Sequence, residues 1–354
     1  MRRLLLAVLL AVLVLPPAAG AAVPRDFFGV MANGPLDQPG FDLASESAQM
    51  RSSGVGSERM EISWDLAEPS PGQYALAPYD RKILAAATAG IDVLALVVRS
   101  PSWAAVQPGK PFSPPKDPAT YAAFMKAMVA RYGPNGSLWA EHPEVPRRPV
   151  RAWQIWNEPN IVNYWSVQPF MRGYARLLSS AYAAVKGADK GATVVMAGFA
   201  NFSWRDLSRL YRKGGRKLRF DVAAVHPFSG RPSNSVKIVR LNRDVLNRHG
   251  ASKRPIWLTE LTWSSAKGRK TPITKDWETT EAGQAQRLRE AFGLFVKARK
   301  SLRLGRIYWY TWITVDRESK NSFDYSGLRT LNADGTVSDK PAVRAFRAVV
   351  KKYG

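Results

Sequence analysis

The stretch Arg151-Ala152-Trp153-Gln154-Ile155-Trp156-Asn157-Glu158-Pro159-Asn160 decides how this chain is read, because an apolar, strand-like run ends there in an amide, a carboxylate and a proline. Proline offers no N–H to a sheet ladder, so the run stops at Glu158. A second run, Pro255-Ile256-Trp257-Leu258-Thr259-Glu260, behaves alike and also ends in a carboxylate. Both glutamates are therefore expected at the C-terminal rim of a sheet.

Outward from these two runs, short β-branched or apolar stretches alternate with longer segments of helical period. The strand-like stretches are 27–31 (FFGVM), 58–62 (ERMEI), 92–98 (DVLALVV), 151–156 (RAWQIW), 193–198 (TVVMAG), 220–225 (FDVAAV), 255–260 (PIWLTE) and 306–312 (RIYWYTW). Helices are predicted over 42–53, 78–90, 118–132, 169–187, 203–213, 235–249, 281–300 and 340–351. Eight of each, with no leftover element, is the count of a single-domain α/β fold of the (β/α)8 TIM-barrel type. Loops after strands build the active face of such a barrel, so 100–118 and 262–280 are expected to shape a cleft. A third long connection, 133–149, precedes the fourth strand.

The chain opens Met-Arg-Arg, runs apolar from Leu4 to Leu15, and passes through Pro16-Pro17-Ala18-Ala19-Gly20-Ala21-Ala22. That order of basic, apolar and small residues reads as a secretory signal peptide over 1–22, leaving 23–354 as the barrel domain of an exported protein. The apolar core is too short for a membrane span, which needs about 20 helical residues. No transmembrane segment is expected after cleavage. With no cysteine among 354 residues, neither disulfides nor thiolate metal sites contribute, and the fold rests on its packed core.

The formal charge of +24 becomes +22 once Arg2 and Arg3 leave with the leader. Attraction to polyanions follows, with acidic polysaccharides or an anionic envelope surface as partners; the competing reading is a diffuse basic surface that contacts nothing in particular. The basic residues are scattered, and dense clusters are short, such as Arg212-Lys213 with Arg216-Lys217. No nucleic-acid-binding signature accompanies them, so no specific nucleic-acid partner is expected. His142, His226 and His249 are far apart, and no metal-ligand spacing or phosphate-cradling loop occurs, so no cofactor or metal is expected. The chain is expected to act as a monomer.

Two rim glutamates are the minimum equipment for cleaving a glycosidic bond: one carboxyl gives a proton to the departing oxygen while the other, ionised, attacks or stabilises the anomeric carbon. Glu158 stands beside aromatics and a neutral amide, which favours its protonated form, whereas Glu260 can face a cation such as Arg59 and stay ionised. The competing reading makes each an ordinary strand-end residue paired with an arginine.

Trp156-Asn157-Glu158-Pro159-Asn160 resembles the fourth-strand motif of glycoside hydrolase clan A, most nearly its family 39 and family 5 glycosidases, β-xylosidase-like and cellulase-like; the motif's glutamate is the acid/base. Leu258-Thr259-Glu260 is similar to that clan's seventh-strand nucleophile motif. Gly54-Val55-Gly56-Ser57-Glu58-Arg59 is similar to the second-strand segment that brings an arginine near the nucleophile. Pro101-Ser102-Trp103 resembles the aromatic-bearing turn after strand three, and Leu331-Asn332-Ala333-Asp334-Gly335 with Lys340-Pro341-Ala342 resembles the last turn and helix.

The resemblance implies a secreted, retaining hydrolase of O-glycosidic bonds, with Glu158 as acid/base, Glu260 as nucleophile, and a polysaccharide or oligosaccharide as substrate. The two carboxyls are then expected about 5–5.5 Å apart. It further implies that Asn157 bonds the sugar 2-hydroxyl, that Arg59 and His226 line the subsite around the scissile bond, and that Trp103 and Trp312 bind substrate. Trp309 takes the place of Trp312 in an alternative register. One departure stands out: the clan's His-x-Tyr after strand six reads His226-Pro227-Phe228, so the hydroxyl bonded to the nucleophile must come from elsewhere, such as Tyr308 or Tyr310. A transglycosylase with the same residues, and a non-catalytic carbohydrate- or wall-binding barrel, are the rival functions.

Overall fold

The computed structural model describes residues 22–215, 217–269, 277–317 and 319–354. The expected signal peptide, save Ala22, lies outside the described residues, as does 270–276 in the loop after the seventh strand.

Eight parallel strands form the centre: β1 (Phe28–Met31), β2 (Ser57–Ser63), β3 (Asp92–Val98), β4 (Ala152–Ile155), β5 (Thr193–Met196), β6 (Ala223–Val225), β7 (Ile256–Leu261) and β8 (Leu304–Trp309). They are ordered β5-β4-β3-β2-β1-β8-β7-β6. The remaining seam, β5 to β6, is joined by the bridges Val195–Val222 and Phe199–Val225, so the sheet nearly closes on itself. Around it run α1 (Leu43–Ser52), α2 (Trp64–Ala67), α3 (Ala77–Ala89), α4 (Pro118–Tyr132), α5 (Ser137–Glu141), α6 (Met171–Ala188), α7 (Ser203–Lys213), α8 (Pro232–Arg248), α9 (Glu281–Leu302) and α10 (Pro341–Tyr353). The expected (β/α)8 barrel is the fold observed.

Local chemistry sets the helix ends. Asp42, Asp117 and Thr280 accept first-turn N–H groups of α1, α4 and α9, which satisfies donors no helix can pair internally. Pro118 sits in the first turn of α4, where its missing N–H costs nothing. Gly90 closes α3 with a left-handed φ of 70°.

The expectation of no leftover element is overturned after β8. Strands β9 (Ile313–Thr314), β10 (Arg329–Leu331) and β11 (Val337–Asp339) form a small separate sheet before α10. The eighth strand is also shorter than the 306–312 expected, ending at Trp309. From there the chain turns out of the barrel to build this sheet.

The barrel interior is filled by Leu94, Ala152, Val195, Val222, Ala224, Trp257 and Tyr308, so it is a packed core rather than a pore. Above this plug, at the C-terminal ends of the strands, inward side chains of β2, β4 and β7 become polar, while Met31 and Leu96 keep the β1 and β3 side apolar.

Candidate active site

Arg59 is fully buried and points inward from β2, where alternation puts Met60 and Ile62 into the outer core instead. Its guanidinium joins three strands: Nε donates to Gln154 Oε1 at 2.7 Å, Nη1 to Glu260 Oε1 at 2.7 Å, and Nη2 to Asn157 Oδ1 at 2.9 Å. A planar fork with five donors suits this geometry where an ammonium does not. The cation expected for Glu260 is thus in place.

Neither glutamate reaches the cavity by plain strand alternation. In β7, Trp257 belongs to the interior plug and Leu258 to the outer layer. Thr259, the next inward residue, bonds Gln154 and His226. Strict alternation would turn Glu260 outward, but a register shift between Leu258 and Leu261 turns it in; bulges commonly re-aim side chains beside active sites. After β4 the backbone instead takes positive φ at Trp156 (66°) and Glu158 (38°), a conformation costing on the order of 1–3 kcal/mol per non-glycine residue. The result sends Trp156 into the core while Asn157 and Glu158 both line the cavity.

Carboxylate oxygens of Glu158 and Glu260 and a ring nitrogen of His226 lie within 4.8 Å of one another. His226 Nδ1 is 2.6 Å from Glu158 Oε1, and Nε2 is 2.9 Å from Thr259 Oγ1. Burial lowers the imidazole pKa to about 4, against the opposing pull of Glu260. The ring is therefore neutral at pH 7, and its contact with Glu158 is a hydrogen bond rather than an ion pair. Room for it comes from Gly198, where a Cβ would collide with the imidazole. A cation would find donor atoms here, but Glu158 Oε1 and His226 Nδ1 already bond each other and Glu260 Oε1 already bonds Arg59.

Burial also raises Glu158 to a pKa of about 7, Arg59 opposing. The two carboxyls thus sit in different surroundings: Glu260 bonds a guanidinium directly, while Glu158 bonds a neutral imidazole. A group that holds its proton more tightly when folded than its ordinary value of 4.5 stabilises the fold below that pH and loses the contribution as pH rises through about 7. Glu158→Gln, which cannot ionise, is expected to be more stable than wild type at pH 8 by on the order of 1–3 kcal/mol and no more stable near pH 4. Denaturant unfolding at the two pH values checks this.

These groups floor a cavity of about 660 Å³ with aromatic walls that include Phe112, Tyr164, Phe228, Trp277, Tyr310 and Phe323. At its mouth Arg99 Nε donates to Glu61 Oε1 at 3.0 Å. Of the residues expected to bind substrate, Asn157 lines the cavity, and Arg59 and His226 support it from beneath. Trp312 does not line it: it is fully buried outside the barrel, with its indole N–H donated to Glu46 Oε2 at 2.8 Å. Trp309 is equally buried and bonds Ser326 O. Trp103 packs edge-on against Trp64 and donates to Glu68 O, away from the cavity.

The aromatic residue that strand eight presents is Tyr310, two positions beyond the inward-facing Tyr308. Glu260, after burial, pushes the Tyr310 phenol pKa upward, which places this hydroxyl in the surroundings of Glu260. Tyr308 is instead in the plug, bonded by Arg306. Sequence reasoning also missed Gln154 and Thr259, although both fall on inward parity. Trp312→Phe is expected to lower stability by about 1–3 kcal/mol, because its buried indole N–H bond to Glu46 is lost. Denaturant unfolding of the variant checks this.

No family model matches the sequence, and no curated protein matches it. Solved structures do. A family 39 glycoside hydrolase from the gut symbiont Bacteroides cellulosilyticus WH2 superposes with a TM-score of 0.67 at 19% identity over 93% of this chain and 64% of its own. This chain thus spans under two thirds of that protein's length. A GH5_18 protein from Bifidobacterium longum subsp. infantis gives 0.65 at 17% identity, covering 92% of this chain and 79% of its own. A family 1 β-glucosidase from Thermotoga maritima gives 0.64 at 14% identity, covering 94% and 99%. The chain shares the barrel of these glycoside hydrolases.

Proposed function

We propose that the chain is a retaining glycoside hydrolase acting on a polysaccharide or oligosaccharide. The observation that carries this reading is the pair of buried rim carboxyls, within 4.8 Å of each other and differently partnered, on the floor of an aromatic-walled cavity. In the first step Glu158 gives its proton to the glycosidic oxygen while Glu260 attacks the anomeric carbon; the C–O bond breaks and the alcohol departs. In the second, water attacks that carbon, Glu158 takes its proton, and the bond to Glu260 breaks. Two inversions leave the configuration unchanged.

The surrounding groups serve both steps. Neutral His226 accepts from Glu158 when the carboxyl is protonated and, in its other tautomer, donates when it is ionised, with the Thr259 hydroxyl matching either state. Asn157, whose Oδ1 is held by Arg59, has its NH2 left to donate to a sugar hydroxyl. The aromatic walls suit the apolar faces of sugar rings. The residues 1–22 and their leader-like order support export, where such polymers are met.

Incubation with a panel of aryl glycosides tests the reading, the first-formed product being followed by proton NMR. Turnover with the substrate's own anomeric configuration is expected, falling as pH rises through about 7 while Glu158 loses its proton. An inverted first product, or no turnover across the panel, overturns it.

A further inference from the structure

We propose that the groove between α7 and α8 is a secondary docking site for an acidic polysaccharide chain. This groove, of about 280 Å³, is lined by Trp204, Arg205, Arg209, Arg212 and Arg248, with Ser208 and Val245 on its floor. Four guanidinium groups share it with two carboxylates close by in the same helices, of which Asp206 pairs with Arg209 at 3.0 Å. Arg205, Arg212 and Arg248 are exposed and make no ion pair among the described residues. Asp244, one turn before Arg248, makes none either. Like charges gathered on two adjacent helices repel one another, and the grouping is complementary to a string of anions.

The position of the groove chooses the kind of anion. Ala200 and Asn201 line the catalytic cavity, and the chain passes from them directly into Phe202, which is 58% exposed, and then Trp204. The two rings meet edge to face at 5.6 Å, and the Arg205 guanidinium stands over both. An exposed aromatic step followed by arginine forks, starting at the cavity rim, offers ring faces to sugars and bidentate donors to their carboxylates. A polymer lying here has its neighbouring units at the cleft. Its identity as a glycan rests on the hydrolase reading; the anionic chemistry rests on the arginines alone.

The test measures binding of the full chain to fluorescent oligogalacturonate, a neutral dextran oligomer and single-stranded oligouridylate at low and high salt. The triple variant Arg205→Gln/Arg212→Gln/Arg248→Gln is expected to weaken oligogalacturonate binding about tenfold or more. The control triple Arg344→Gln/Lys351→Gln/Lys352→Gln removes the same charge from the exposed face of α10 and is expected to bind within about twofold of wild type. Equal weakening by both triples reduces the affinity to diffuse charge and overturns the proposal, as does equal binding of dextran. Tighter binding of oligouridylate, lost in the first triple, overturns it in favour of a nucleic-acid groove. All three proteins should turn over a small neutral aryl glycoside equally. Absence of turnover in all three counts against the hydrolase, while the docking site is judged by binding.

Discussion

Glu260→Ala is expected to abolish turnover, by roughly 10⁴-fold or more, on every substrate the wild type cleaves. In the proposed mechanism its carboxylate attacks and Glu158 handles the proton, and no neighbour replaces it: His226 has both ring nitrogens bonded, and the Tyr310 hydroxyl is a weak nucleophile whose pKa is pushed further up. The substitution also strands Arg59, whose Nη1 keeps only the weak acceptor Met31 Sδ at 3.1 Å in a site with no exposure. Removing one partner of a buried pair costs about 3–5 kcal/mol, so the variant should unfold at lower denaturant as well. Single-turnover kinetics with an activated aryl glycoside separate the two effects, because a folded protein without a covalent-intermediate burst reports lost chemistry. A burst of wild-type size in Glu260→Ala would mean that another group is the nucleophile.

Glu158→Ala is expected to behave differently, and the difference assigns the roles. Loss of general acid catalysis slows substrates with poor leaving groups about 10²–10⁴-fold, while a dinitrophenyl glycoside, whose leaving group needs no proton, still forms the covalent intermediate. Hydrolysis of that intermediate then lacks a base, and azide, a nucleophile that needs none, should restore the rate and yield a glycosyl azide of retained configuration. Equal loss on all leaving groups, with no response to azide, would remove Glu158 from this role. Activity like wild type in both variants would favour a non-catalytic barrel.

Much of this was legible in the sequence, and the reasons are specific. Eight apolar runs are long enough to register as buried parallel strands, and Pro159 marks where the fourth one ends. Arg59 opposite Glu260 follows from the resemblance of Gly54–Arg59 to a second-strand segment, and the structure supplies its physical reason: Met60 and Ile62 claim the outer face of β2. What failed was the placing of aromatics. The family resemblance puts Trp312 or Trp309, and Trp103, on the substrate, yet each is held elsewhere by an indole N–H bond to a partner remote in sequence. Tyr310, on the parity of Tyr308, is read from the sequence only as a hydroxyl for Glu260 and not as a cavity wall, because the strand is extended to Trp312. The small sheet of β9 to β11 was missed because strands of two or three residues leave no periodicity. The shift that turns Glu260 inward is set by pairing with β8 and has no local signature.

Gly198 has a consequence for how this protein can vary. It faces the His226 ring so closely that even one methyl group would displace the imidazole from Glu158. In a saturation library selected for activity, position 198 should accept no other residue, although it carries no functional group. Gly187, an exposed glycine of α6 with open space around its missing Cβ, should accept many. The pattern of tolerated substitutions would therefore trace the outline of the ring bonded to Glu158 through an atom that is not there.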